Sequence, residues 1–127
     1  MQDRIRETPL VSYYSARHRR FKLLLRWRKF VPFLQRAVSA LAPDAQVYAF
    51  GSALRGELTA DSDVDVLIVT EKAEGRDRHR LVAEIEAKLD EKLDSPIFEL
   101  HVIQPHRLEW YKKHAKELTP LEKLQSP

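Results

Sequence analysis

The chain has 127 residues, 43% hydrophobic and 32% charged, with a formal net charge of +3 and no cysteine. Such a chain fits one folded domain, read here as residues 1–127, and excludes a disordered segment, a disulfide scaffold and a thiolate metal site. No apolar run approaches the ~20 residues of a membrane helix, and Met1-Gln2-Asp3-Arg4 lacks the apolar core of a signal peptide, so a cytoplasmic protein with no membrane contact is expected.

Charge is unevenly spread. Residues 1–41 hold ten Lys/Arg against Asp3 and Glu7, a net of +8, and the other 86 residues hold twelve against seventeen, a net of −5. From about Ser15 to Leu41 apolar residues recur at helical spacing: Leu23, Trp27, Phe30, Leu34, Val38 and Leu41. Pro32 predicts a kink or break in that run. Arg17, Arg19, Arg20, Lys22, Arg26, Arg28 and Lys29 read as its solvated face, and attraction to nucleic acid or nucleotides is the alternative.

Ala42-Pro43-Asp44 closes the helix, and Gln46 to Phe50 reads as a short strand ending at Gly51-Ser52. Asp63 to Val69 is a nearly continuous β-branched run, as expected of a central strand buried on both faces. Residues 77–93 form an amphipathic helix with Leu81, Ile85 and Leu89 at four-residue spacing, closed by Ser95-Pro96. Ile97 to Ile103 is a third strand, Pro105 opens a further helix, and Thr119-Pro120 reads as the cap of a last short one. The order helix, strand, strand, helix, strand, helix predicts an α+β fold, a small mixed sheet with helices packed on one side.

The chemistry concentrates around the second strand. Asp63 and Asp65 are two apart, so strand alternation points both carboxylates the same way, with Cα atoms roughly 6.6 Å apart. Two acids opening an apolar strand are costly to bury unless a cation neutralises them. Hard carboxylate oxygens suit Mg²⁺ or Mn²⁺. Upstream, Gly51 lets a ligand approach the backbone closely, the Ser52 hydroxyl and the amides after it suit phosphate oxygens, and Arg55 offers a phosphate-binding charge. In the third strand Glu99 alternates with Phe98 and Leu100, so it can join the two aspartates if the strands are neighbours. His101 shares the face of Glu99 and reads first as a surface histidine, with a second-layer or nucleotide contact as the alternative.

Gly51-Ser52, ten residues, then Asp63-x-Asp65, within Phe50-Gly51-Ser52-Ala53-Leu54-Arg55-Gly56-Glu57 to Ser62-Asp63-Val64-Asp65-Val66-Leu67, resembles the signature of the minimal nucleotidyltransferases of the DNA polymerase β superfamily. The resemblance is close over residues 46–69 and looser through the later strand and helix. It implies a palm-like sheet and transfer of a nucleoside monophosphate from ATP or another NTP with Mg²⁺ or Mn²⁺. Gly51 and Ser52, with Arg55 nearby, would take the phosphates, Asp63 and Asp65 both metals, and Glu99 the third-acid role. Here Glu99 stands where Asp is commoner. Small members of this family resemble antitoxins that bind and AMPylate HEPN-domain toxins, so the resemblance implies AMP transfer from ATP to such a partner. Self-association stays open, and nucleic acid is the less expected partner. The competing readings are a non-catalytic palm module and a nucleic-acid-binding protein using the basic helix.

Overall fold

The N-terminal helical run forms and breaks, but the break lies upstream of Pro32. In a computed structural model, which describes residues 8–125, α1 spans Pro9–Leu25, a 3-10 turn covers Trp27–Phe30, and α2 runs Val31–Leu41. Pro32 falls in the first turn of α2, where its missing N–H costs nothing. Four residues earlier its ring would clash with an α-helical carbonyl, so the chain tightens to 3-10 geometry before restarting. α1 begins well before Ser15: the Thr8 hydroxyl accepts from the Val11 amide at 3.1 Å, and Pro9 occupies the first turn. Met1 to Arg4, where the sequence lacks a signal-peptide core, lies outside the described residues.

The strands are β1 (Gln46–Phe50), β2 (Val64–Val69), β3 (Phe98–Ile103) and β4 (Leu118–Pro120), in the order β3-β2-β1-β4. β2 and β3 are parallel and joined through α3 (Gly75–Asp90); β1 is antiparallel to both β2 and β4. This is the mixed α+β sheet the sequence predicts. Thr119-Pro120, predicted as a helix cap, is instead edge strand, and the helical turn follows at Leu121–Lys123. Pro lacks the amide an interior strand needs but is tolerated at an edge, where that amide would face outward.

β2 sits second in the sheet because it can be buried on both sides: Val64, Val66, Leu67, Ile68 and Val69 are all buried. One face, with Ala49, Val64, Val66, Ile68, Phe98 and Val102, packs under α1, α2 and α3 through residues including Leu24, Leu34, Val38, Leu81 and Ile85. The opposite face carries a smaller cluster of Leu67, Val69 and Ile103, covered by Leu108 and Tyr111 of α4 (Leu108–His114). The three long helices therefore share one side, and short α4 adds cover to the other. Strand alternation places Asp65, Glu99 and His101 on that second face. Among the described residues no helix is long and apolar enough to cross a membrane.

Candidate active site

Asp65 is the centre of the site because two strands bring their functional ends to it. Phe50, the residue before Gly51, pairs with Asp65 across the antiparallel β1–β2 ladder, and Glu99 pairs with Asp65 across the parallel β2–β3 ladder. The strand order thus converts three distant stretches of sequence into one contiguous patch. Ligand atoms of Asp65, Glu99 and His101 all lie within 4.8 Å of one another. His101 Nε2 is 3.4 Å from Asp65 Oδ1 and 3.9 Å from Glu99 Oε1, and its ring packs against Phe50 with centroids 5.3 Å apart. Predicted first as a surface histidine, His101 is half-buried in the cluster. Its signal in the sequence was the two-residue spacing from Glu99.

Gly51 adopts φ 87°, ψ −164°, a region essentially reserved for glycine. A Cβ built there would sit 2.5 Å from Asp65 Oδ2. Close approach at Gly51 is therefore real, and its near partner is the Asp65 carboxylate. Ser52 opens the 3-10 turn Ser52–Arg55 and is half-buried; the first amides of such a turn have no acceptor within it. At its other end Arg55 Nε donates to Glu57 Oε2 at 3.2 Å, so its charge is engaged by a neighbour.

Asp63 lies one residue before the first residue of β2. β2 starts at Val64, whose amide donates to Ile97 O at 2.8 Å, so Asp63 precedes the first ladder bond and the pleat does not fix it. Its carboxylate accepts from Arg20 of α1, and it is not among the residues that converge with Asp65 and Glu99. Beside it Arg17 donates to Asp61, at 2.7 Å for Nη2 to Oδ2. That pairing raises the Arg17 pKa and lowers that of Asp61. Two cations predicted as solvated thus contact the loop that enters β2.

The donor set fits a hard divalent cation. Two facing carboxylates with a histidine beside them offer oxygen ligands, and clustered negative charge favours a cation that neutralises it. The cluster lies next to the glycine-flanked turn Gly51–Gly56. The chain belongs to the nucleotidyltransferase domain family, which it matches over residues 28–123. In structure it resembles a candidate nucleotidyltransferase from Sulfolobus solfataricus, with a TM-score of 0.55 and 21% identity over 80% of this chain and 85% of that one. A second candidate nucleotidyltransferase gives a TM-score of 0.53 and 23% identity over 70% of this chain and 94% of the other. At those identities the likeness concerns the fold. No curated protein matches the chain in sequence.

Proposed function

We propose that the chain is a metal-dependent nucleotidyltransferase moving a nucleoside monophosphate, AMP from ATP in the first instance, to an acceptor hydroxyl. The observation that carries this reading is the register that sets Asp65 between Gly51-Ser52 and Glu99. Asp65 and Glu99 would hold the divalent cations, Mg²⁺ or Mn²⁺, with the second oxygen of Asp63 as a further ligand. Bound cations supply positive charge that lowers the acceptor hydroxyl pKa and neutralises the leaving pyrophosphate. Gly51 leaves room for the Asp65 carboxylate and for phosphate against the backbone. The Ser52 hydroxyl and the amides after it donate to phosphate oxygens, and Glu99 orients the acceptor hydroxyl for in-line attack on the α-phosphorus. His101, which packs on Phe50 and stands 3.4 Å from Asp65 Oδ1, would help to orient the Asp65 carboxylate.

The acceptor we infer is a hydroxyl side chain on a partner protein, a HEPN-type toxin as the sequence resemblance implies, in a cytoplasmic pair. The test incubates the chain with α-labelled ATP, Mg²⁺ or Mn²⁺ and the product of the neighbouring gene. Label on that protein, lost with Asp65→Asn, is the expected result. No label on any acceptor with either metal would sink the enzymatic reading.

A further inference from the structure

α1 lies outside residues 28–123, the part of the chain that matches the family, yet it reaches the first acid of the signature. Arg20 is held from three directions. Nε donates to Pro96 O at 3.1 Å, Nη1 to Ala60 O at 3.1 Å, and Nη2 to Asp63 Oδ1. The two carbonyls come from the segments that lead into β3 and β2, so the guanidinium is fixed by backbone at the entry to the two strands that carry Glu99 and Asp65. Its side chain is 20% exposed against 45% for Asp63.

A guanidinium cannot shed its proton to make way for another cation. Arg20 therefore occupies an oxygen of the Asp63 carboxylate, which the proposed function assigns to metal, and sets a permanent positive charge beside it. Like charges repel, and more strongly when partly shielded from water. We propose that Arg20 is a resident counter-cation of Asp63, supplied by an appended helix, and that metal loading must displace it. α1 thereby sets how readily the site takes up metal. This rests on the metal-dependent reading above.

The experiment measures binding of Mn²⁺ alone to the full chain, without nucleotide, by the paramagnetic resonance of free Mn²⁺. Arg20→Gln keeps a donor for the loop carbonyls but removes the charge, and should bind Mn²⁺ several-fold more tightly than the wild type. Arg17→Gln, which frees Asp61 on the same helix, should leave that affinity unchanged. A residue that merely shaped the loop would give weaker binding when replaced. Equal or weaker binding by Arg20→Gln, with the wild type binding normally, would overturn the proposal while leaving the metal reading intact. No Mn²⁺ binding by either form would overturn both. Should Arg20→Gln misfold, hydrogen exchange on the wild type decides: saturating Mn²⁺ should speed exchange of α1 amides near Arg20, and unchanged exchange would overturn the proposal.

Discussion

At Gly51 backbone and site chemistry make the same demand. Alanine there is strained by its dihedrals, at a cost of about 1–3 kcal/mol, and its Cβ would stand 2.5 Å from Asp65 Oδ2. A carboxylate that swings away from this Cβ also shifts relative to Glu99 and His101, whose ligand atoms lie within 4.8 Å of its own. Gly51→Ala is therefore expected to lower stability by that amount in urea titrations and also to weaken Mn²⁺ binding; normal metal affinity would show that Asp65 need not sit against Gly51. Asp65→Asn removes charge with little change of shape and relieves repulsion from Glu99, so the midpoint should hold while transfer drops by on the order of 10²–10³ or more. Ser52→Ala removes about one hydrogen bond to phosphate, on the order of 1–3 kcal/mol, and steady-state kinetics should place it well above Asp65→Asn. The aspartates and Gly51-Ser52 were legible in the sequence because their spacing is specific. The contact of Arg20 with Asp63 was not, since a basic helix face reads the same whether it meets water or a carboxylate 43 residues away.

The elements most legible in the sequence were those whose pattern matches their burial. β2 carries an almost unbroken apolar run and α3 a four-residue apolar spacing, and both lie where expected within three residues at each end. β4 was not legible, because three residues including Pro120 carry no periodicity, and an edge strand is defined by its neighbour. The turn after β2 depends on a longer-range contact. Thr70 is fully buried, and its hydroxyl donates to Asp44 Oδ1 at 2.8 Å, while the Glu71 amide donates to Asp44 Oδ2 at 2.9 Å. The Glu71 amide first, then the Thr70 hydroxyl, hold the Asp44 carboxyl below its ordinary pKa. A carboxyl depressed in the folded state adds stability above its unfolded pKa and loses it as pH falls through the folded value. Acid titration monitored by circular dichroism should thus show a destabilising limb below about pH 4 that Asp44→Asn reduces, with a loss near neutrality on the order of 1 kcal/mol. An unchanged acid limb would mean this junction does not report on folding.

Across the whole molecule, the charge imbalance of the sequence turns inward. The basic first third meets the acidic remainder at Arg17–Asp61 and Arg20–Asp63. The two ends of α1 are held differently. Leu24 is fully buried and Phe21 and Leu23 pack against the core, whereas Leu10, Val11, Tyr13 and Tyr14 are exposed. The ion pair at the middle of α1, Arg17–Asp61, is exposed to screening: the Debye length falls from about 10 Å at 0.1 M salt to about 3 Å at 1 M. Raising NaCl over that range should speed hydrogen exchange in the first half of α1 by a few-fold, with β2 and α3 unaffected. Acid should act alike, because Arg17 lowers the pKa of Asp61 and that stabilisation is lost as pH falls through the lowered value. A nucleic-acid-binding helix would behave otherwise, holding several phosphates and losing RNA affinity steeply and linearly in log salt. With Arg17 and Arg20 already paired, RNA binding at 0.1 M salt is expected to be weak and its salt slope shallow. A steep slope in filter binding, with α1 exchange indifferent to salt, would assign the basic helix to nucleic acid and not to the protein's own acidic site.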